Sequence, residues 1–248
     1  MYKRQALSYS TAQINEVPNL DSTRIEFDEG NLFQLDQAPG YDARSTGFAG
    51  HLGLSWRRTT ANNRFMQFTA GKLIRQNQNL SLAQSSGIAD RNSDLLLTAH
   101  YESGSGLSIL SRAIVGGDSG LRKAETRLGY KKSRFDLNLT HSWLEADEAE
   151  LRPIAFSEIT ASAGVNISER VRLNTTARYD ARTDELSNVT ASVTIFTSCL
   201  RVDFSMSERF SKSAAVPSVT EYGFRINMAQ FGVGSSLRTR SQKCRGAL

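Results

Sequence analysis

From about Phe48 to Phe231 the sequence alternates apolar and polar residues, run after run, with short charged or glycine-containing breaks between the runs. Residues 135–143 show the rule. Phe135, Leu137, Leu139 and Trp143 fall on one phase, and Asp136, Asn138, Thr140 and Ser142 fall on the other. A period of two belongs to a β-strand whose two faces meet different surroundings. Many such strands in tandem, with almost no helical pattern between them, require an antiparallel sheet that covers its edges or closes on itself. Function then turns on what the apolar face touches, a protein core or lipid.

Strand length and loop asymmetry favour lipid. The alternation predicts strands over 47–58, 64–74, 94–101, 107–115, 121–131, 134–143, 158–167, 171–180, 188–198, 200–210 and 222–231. That is about eleven strands of roughly nine to twelve residues, the length of a tilted strand crossing a bilayer. Long polar loops at 76–92, 145–151 and 211–219 contrast with tight connections at 103–106, 132–133 and 168–170. Outer-membrane barrels have this asymmetry. A soluble sandwich would carry shorter strands and more than the four prolines present. The expected fold is all-β, an antiparallel transmembrane β-barrel segment that is an incomplete barrel. Residues 1–42 read as an irregular lead-in, 43–232 as the barrel part and 233–248 as a tail.

Composition is compatible with this. Hydrophobic residues make up 39% of the 248, and mean hydropathy is −0.38. No run approaches the roughly 20 apolar residues of a spanning helix, whereas a barrel keeps low hydropathy because half of each strand faces a polar interior. The formal charge of +5 could suggest nucleic acid. However, Arg112, Arg127, Arg172, Arg178, Arg201 and Arg225 stand singly on the polar phase, without an aromatic–basic platform. The N-terminal stretch from Met1 to Leu7 has no apolar signal region, so an exported protein would need a start further upstream.

Candidate chemistry is sparse. His51, His100 and His141 lie on three separate strands with no nucleophile elbow beside them. They read as satisfied histidines, and no catalytic residue is expected. Asp28, Glu29, Glu145, Asp147, Glu148 and Glu150 lack calcium-loop spacing and read as solvated loop acids. No metal or cofactor is expected. The sequons at Asn138, Asn166, Asn174 and Asn188 follow from Asn and Thr alternating in strands. Cys199 and Cys244 are too few for a disulfide scaffold and lack metal spacing. Either could be oxidised in a periplasm-facing protein, or one is buried and the other incidental.

Several short motifs occur in a particular order. Pro18, Asn19, Asp21 and Ser22 come first, then Asn31-Leu32-Phe33, then Gly40 and Asp42 before a glycine-containing strand. Towards the end stand a cysteine-led strand from Cys199 to Arg209 and a last strand from Tyr222 to Gly232. In order and spacing this resembles the barrel domain of the LPS-assembly family LptD. The resemblance implies an outer-membrane component of lipopolysaccharide transport in a Gram-negative bacterium, one that inserts lipopolysaccharide into the outer leaflet and is not an enzyme. Its implied partners are lipopolysaccharide, the plug lipoprotein LptE, the periplasmic bridge protein LptA (through an N-terminal domain that this sequence lacks) and the barrel assembly machinery, with no nucleic acid.

The resemblance covers only the C-terminal part of the family's barrel, so the chain reads as a fragment. Many family members carry two adjacent cysteines where Ser198 precedes a single Cys199. The family pattern pairs Cys199 with a cysteine upstream and assigns no role to Cys244. Arg178 and Arg201 become possible lumenal contacts for lipopolysaccharide phosphates or the plug. Another outer-membrane channel, porin-like, is the alternative, although porins end on a terminal aromatic and here Phe231 is followed by a polar tail. A soluble β-rich binding module is the third reading.

Overall fold

The computed structural model describes residues 2–11, 27–34, 47–78, 82–116, 120–197, 200–210 and 218–228. Its strands are β1 (Tyr2–Ser10), β2 (Gly47–Thr59), β3 (Phe65–Arg75), β4 (Leu95–Glu102), β5 (Leu107–Val115) and β6 (Leu121–Lys131), followed by β7 (Phe135–Leu144), β8 (Phe156–Asn166), β9 (Val171–Asp180), β10 (Glu185–Phe196), β11 (Leu200–Arg209) and β12 (Val219–Met228). They form one twelve-stranded sheet in sequence order. Two short 3₁₀ turns, Gln84–Ser86 and Glu148–Glu150, are the helical elements among the described residues, and no described helix is long and apolar enough to cross a membrane.

All eleven expected strands are present, and β1 makes a twelfth inside the stretch read as irregular. Its alternation is weak because Lys3 and Gln5 share the phase of Leu7 and Tyr9. Pairing supplies what the pattern lacks. β1 lies antiparallel to β2 with Leu7 opposite Gly50 and Tyr9 opposite Phe48, and the Tyr9 and Phe48 rings are 4.6 Å apart.

Cross-strand register sorts the side chains onto two faces. In the first unit Trp56 lies opposite Phe68 with ring centroids 5.7 Å apart, and Phe48, Leu52, Leu54 and Leu97 share their apolar phase, all exposed. In the second Phe204 lies opposite Phe224 at 5.0 Å, and Phe135, Leu137, Leu139, Met206 and Ile226 stand on the apolar phases of their strands, all exposed. In water such exposed apolar surface would be costly. The expected alternation is therefore realised with its apolar phase exposed.

The turns are built from residues suited to them. Gly106 takes φ 100° where Ser103 closes the β4–β5 hairpin by accepting from Leu107 N at 2.9 Å. Asn63 takes φ 55° between β2 and β3, a conformation that Asn tolerates better than most residues.

The chain divides into two compact units. One comprises Met1–Leu128 with His141–Ser157, the other Gly129–Thr140 with Glu158–Leu248. Each has its own way of covering its polar face, and the site lies in the first.

Candidate functional site

Residues 27–34 form a turn that closes on itself. Asp28 Oδ1 accepts from Asn31 N at 3.0 Å, and Asn31 Oδ1 accepts from Asp28 N at 3.0 Å. This is the reciprocal arrangement of a capping box. Gly30 N also donates to Asp28 Oδ1, at 2.8 Å, and Leu32 N donates to the Asp28 carbonyl at 3.1 Å. The Asp-Glu-Gly-Asn sequence thus makes a local turn that aims Leu32 and Phe33 away from it.

That turn sits on the polar face of β2–β5, seated by a knob in a hole. Leu32 is fully buried over Gly53 and Gly71, which lie directly opposite each other in the β2–β3 ladder. A Cβ on Gly71 would overlap Leu32 Cδ2, and one on Gly53 would come within 2.5 Å of Phe33 Cζ. The two glycines are small because another segment approaches the sheet closely at that point. Around Leu32 lies a compact apolar cluster of Phe27, Leu82, Ile88, Ala89, Leu96 and Ile114, with Phe33 against its edge. The β3–β4 connection supplies Leu82, Ile88 and Ala89, so this loop folds inward as well. Leu73 N donates to Ser93 Oγ at 2.8 Å, and Arg75 donates through its guanidinium to the Ile88 carbonyl.

Polar fastenings surround the cluster. Arg112 on β5 binds Glu29 through Nη2–Oε1 at 2.7 Å and Nε–Oε2 at 3.1 Å, and Thr98 on β4 donates to Glu29 Oε2 at 3.2 Å. Burial pushes the Glu29 carboxyl up, but the Arg112 hydrogen bond and charge, with backbone and Thr98 donors, outweigh it and hold Glu29 below the ordinary carboxylate range. His51, buried on β2, places Nδ1 2.8 Å from the Leu32 carbonyl. A carbonyl can only accept, so Nδ1 carries the proton, and Nε2 faces Ser8 Oγ on β1 at 3.3 Å. The Arg4 guanidinium lies 4.4 Å above the Phe33 ring.

A second brace ties the two inward loops together. Asp147 accepts from Ser85 N and Ala149 N, each at 2.9 Å, and Arg152 reaches Ser85 Oγ at 3.1 Å and Glu150 at 2.7 Å. Burial raises the Asp147 carboxyl, but the Ser85 and Ala149 donors and the Arg152 charge leave it below its ordinary value. Arg122 joins Glu145 at 2.7 Å and Asp94 at 3.3 Å.

These contacts correct the expectation of solvated loop acids. Glu29, Glu145, Asp147 and Glu150 are all engaged in fixed ion pairs or hydrogen bonds, while Glu148 is exposed. Glu29, Glu145 and Asp147 meet Arg112, Arg122 and Ser85 across 83, 23 and 62 residues, so no local spacing could reveal those contacts, whereas Glu150 meets Arg152 two residues on. The histidines match their reading as satisfied groups. His100 meets Glu102 at 3.2 Å, and His141 meets Ser157 Oγ at 3.1 Å.

The remaining expected residues are more dispersed. Arg178 on β9 is 3.3 Å from Glu158, and Arg201 on β11 is 3.0 Å from Asp203; both lie on the polar phase of the second unit. Asn31, Leu32 and Phe33 are in the seated turn. Pro18, Asn19, Asp21, Ser22, Gly40, Asp42, Cys199 and Cys244 lie outside the described residues. Gly53, Gly71, His51 and Arg112 are the functional candidates that motif reading missed as a set. The signal available was two glycines interrupting the polar phase of adjacent strands.

The second unit has its own constellation. Arg172 on β9 pairs with Asp136 and donates to Asn174 Oδ1 at 2.7 Å and Asn166 Oδ1 at 3.1 Å. Gly164 leaves room for it, since a Cβ there would overlap the guanidinium. Thr194 donates to Asp203 at 2.7 Å, and Thr190 and Asn188 both reach Ser207. No cluster of metal-binding side chains occurs among the described residues. What the arrangement can do is hold a polar-lined surface in a fixed shape beneath a seated turn.

A family model described as LPS transport system D, LptD, matches residues 6–154. The matched span runs from within β1 to the loop before β8, and takes in the seated turn, the glycine pair and both inward loops. No curated protein matches the chain.

Proposed function

Because the chain belongs to the LptD family of the lipopolysaccharide transport system, and so to outer-membrane lipopolysaccharide transport and assembly, we propose that its strands form the lipid-facing wall of a transmembrane β-barrel in the outer membrane of a Gram-negative cell. The barrel delivers lipopolysaccharide to the outer leaflet. The family match carries this reading. The exposed apolar phase supports the lipid contact, because antiparallel pairing satisfies backbone polar groups while leaving apolar side chains outward. The polar face then lines the interior.

The partners follow from the same reading. LptA delivers lipopolysaccharide from the periplasm, LptE occupies the interior, and the barrel assembly machinery inserts the protein. Arg178 and Arg201 offer guanidinium groups to lipopolysaccharide phosphates or to the plug. In this reading Cys199 forms a disulfide that stabilises the assembled state; the expected result is a mobility difference between reduced and unreduced samples that Cys199→Ser abolishes.

The test is depletion of the protein in its own cell, with arrival of newly made lipopolysaccharide at the surface as readout. The expected result is arrested delivery and accumulation behind the outer membrane. Unchanged delivery with slower uptake of small hydrophilic solutes would instead indicate a diffusion channel.

A further inference from the structure

We propose that the tight-turn end of the second unit is a basic collar that binds the headgroups of anionic phospholipids, with Lys131, Lys132, Arg134 and Arg170 as the residues that meet their phosphates. The proposal rests on the reading of the strands as an outer-membrane wall and adds a lipid partner to it.

Charge in this unit is divided between the two ends of the strands. The connections after β6, β8 and β10 fall at one end of the antiparallel order. Asn166 N donates to the Arg134 carbonyl and Phe196 N to the Arg170 carbonyl, each at 2.7 Å, so these ends are held side by side. They carry Lys131, Lys132, Arg134 and Arg170 against Glu169, all exposed. The ion pairs of this unit go to Arg172, Arg178 and Arg201, and none of the four exposed cations has an acidic partner among the described residues. At the opposite end the β9–β10 connection carries Asp180, Asp184 and Glu185 against Arg182. The basic end is the end of tight turns, which in an outer-membrane barrel faces the periplasm and meets the phospholipid leaflet there.

The depth of the headgroups is marked at the same end. The Tyr130 and Phe135 rings are 5.6 Å apart, Phe135 is exposed on the apolar phase, and aromatic girdles lie where the apolar band of a barrel meets the interface. Lys132 Nζ stands 5.6 Å from the centre of the Tyr130 ring. Beside it an open cleft of about 690 Å³ runs from Ser133 and Arg134 to Ser168 and Phe196, with Ile167 and Val171 along it and Glu169 on its rim. Ser168 Oγ accepts from Arg170 N and Val171 N, which leaves its O–H to donate. A guanidinium and hydroxyls thus face a phosphate where apolar carbons can meet the start of an acyl chain. The unpaired cations supply the selectivity, since each one near an anionic bilayer surface multiplies binding about fivefold.

The full-length protein in a non-ionic detergent is titrated separately with short-chain phosphatidylglycerol, short-chain phosphatidylcholine and inorganic phosphate. Retained lipid is counted by native mass spectrometry, and Tm is followed. Phosphatidylglycerol is expected to bind at least roughly tenfold more tightly than phosphatidylcholine and to raise Tm, and inorganic phosphate to do neither. Lys131→Gln, Lys132→Gln, Arg134→Gln and Arg170→Gln together should abolish the preference, whereas Arg182→Gln, at the acidic end, should preserve it. Raising salt from about 0.05 M to about 0.5 M should shrink the preference of the unaltered protein, which decides the matter if the four-site variant fails to assemble.

Equal retention of the two lipids, an equal response to inorganic phosphate, or a preference that survives both the four substitutions and high salt would overturn the proposal. Lipopolysaccharide delivery is measured alongside. Delivery arrested on depletion with no lipid preference removes the collar alone. A lipid preference with delivery unchanged on depletion removes the transport reading alone.

Discussion

The two units share one strand grammar and solve the same problem differently. Both turn an apolar phase outward, and both must occupy a polar face lined with arginines and hydroxyls. The first unit covers that face with chain, placing a seated turn and an inward loop around Leu32, Ile88, Leu96 and Ile114, with ion pairs at the rim. Among the described residues the second finishes its face with side chains, Arg172, Asp136, Asn166 and Asn174 in one network and Thr190, Asn188 and Ser207 in another. A polar face can thus be finished by burial or by mutual hydrogen bonding. The first solution is sensitive to added bulk and to cavities, and the second to loss of charge partners.

The sharpest way to break this contrast is Leu32→Ala. Removing a fully buried knob that cannot be refilled from a rigid sheet should cost about 3 kcal/mol in unfolding from lipid vesicles. A comparable truncation of Leu137, on the apolar phase at β7, should cost much less, because lipid refills the space. Equal losses at the two positions would erase the distinction between core and lipid-facing leucines.

Arg172→Ala is the matching experiment in the second unit. It strands Asp136 and two amides, both ion-pair partners being less than a third exposed, and should cost about 1–2 kcal/mol. Asp136→Asn should recover part of the loss when added to it. If Arg172→Ala is silent, the network contributes only shape.

Acid separates the units next. Glu29 titrates below its ordinary value of 4.5, so its contribution is fully present above that value. It is lost as pH falls through the lower value of the folded protein. The groups around it are Arg112 from β5, Thr98 from β4, Asp28 from its own turn, and Lys123, Glu125 and Arg127 from β6. The turn should therefore loosen, by hydrogen exchange at Leu32, only below about pH 4.5, and Glu29→Gln should remove that step. Loosening that begins near neutrality would assign control to another group.

The smallest effect belongs to Arg201. Its side chain is about half exposed beside Asp203, and Arg201→Ala should change stability by no more than about 0.5 kcal/mol. If it nevertheless slows lipopolysaccharide delivery, the role of Arg201 is contact with cargo.

The strands were legible in the sequence because lipid and water impose a period of two on every crossing. β1 was not, since only Leu7 and Tyr9 of its outward phase are apolar and its formation depends on the edge of β2. The ion pairs were illegible for another reason. Glu29 and Arg112 meet only after four strands have paired, and each looks like an ordinary surface charge in its own neighbourhood. Gly53 and Gly71 stood in plain view as breaks in alternation, but their meaning required Leu32, whose position on the sheet no local pattern gives. Asn31-Leu32-Phe33, noted as a motif, proved to be the part that enters the hole.

The central claim is that alternation divides lipid from a polar interior, and nitroxide scanning of the full-length protein in lipid vesicles tests it most directly. Labels placed one at a time at Leu52, Leu54 and Trp56 on β2, and at Val202, Phe204 and Met206 on β11, should be relaxed by dissolved oxygen and shielded from a water-soluble nickel complex. Labels at Asp203 and Ser205 should show the reverse. Equal exposure of neighbouring positions to the nickel complex would contradict the account, because the sheet would then have water on both faces.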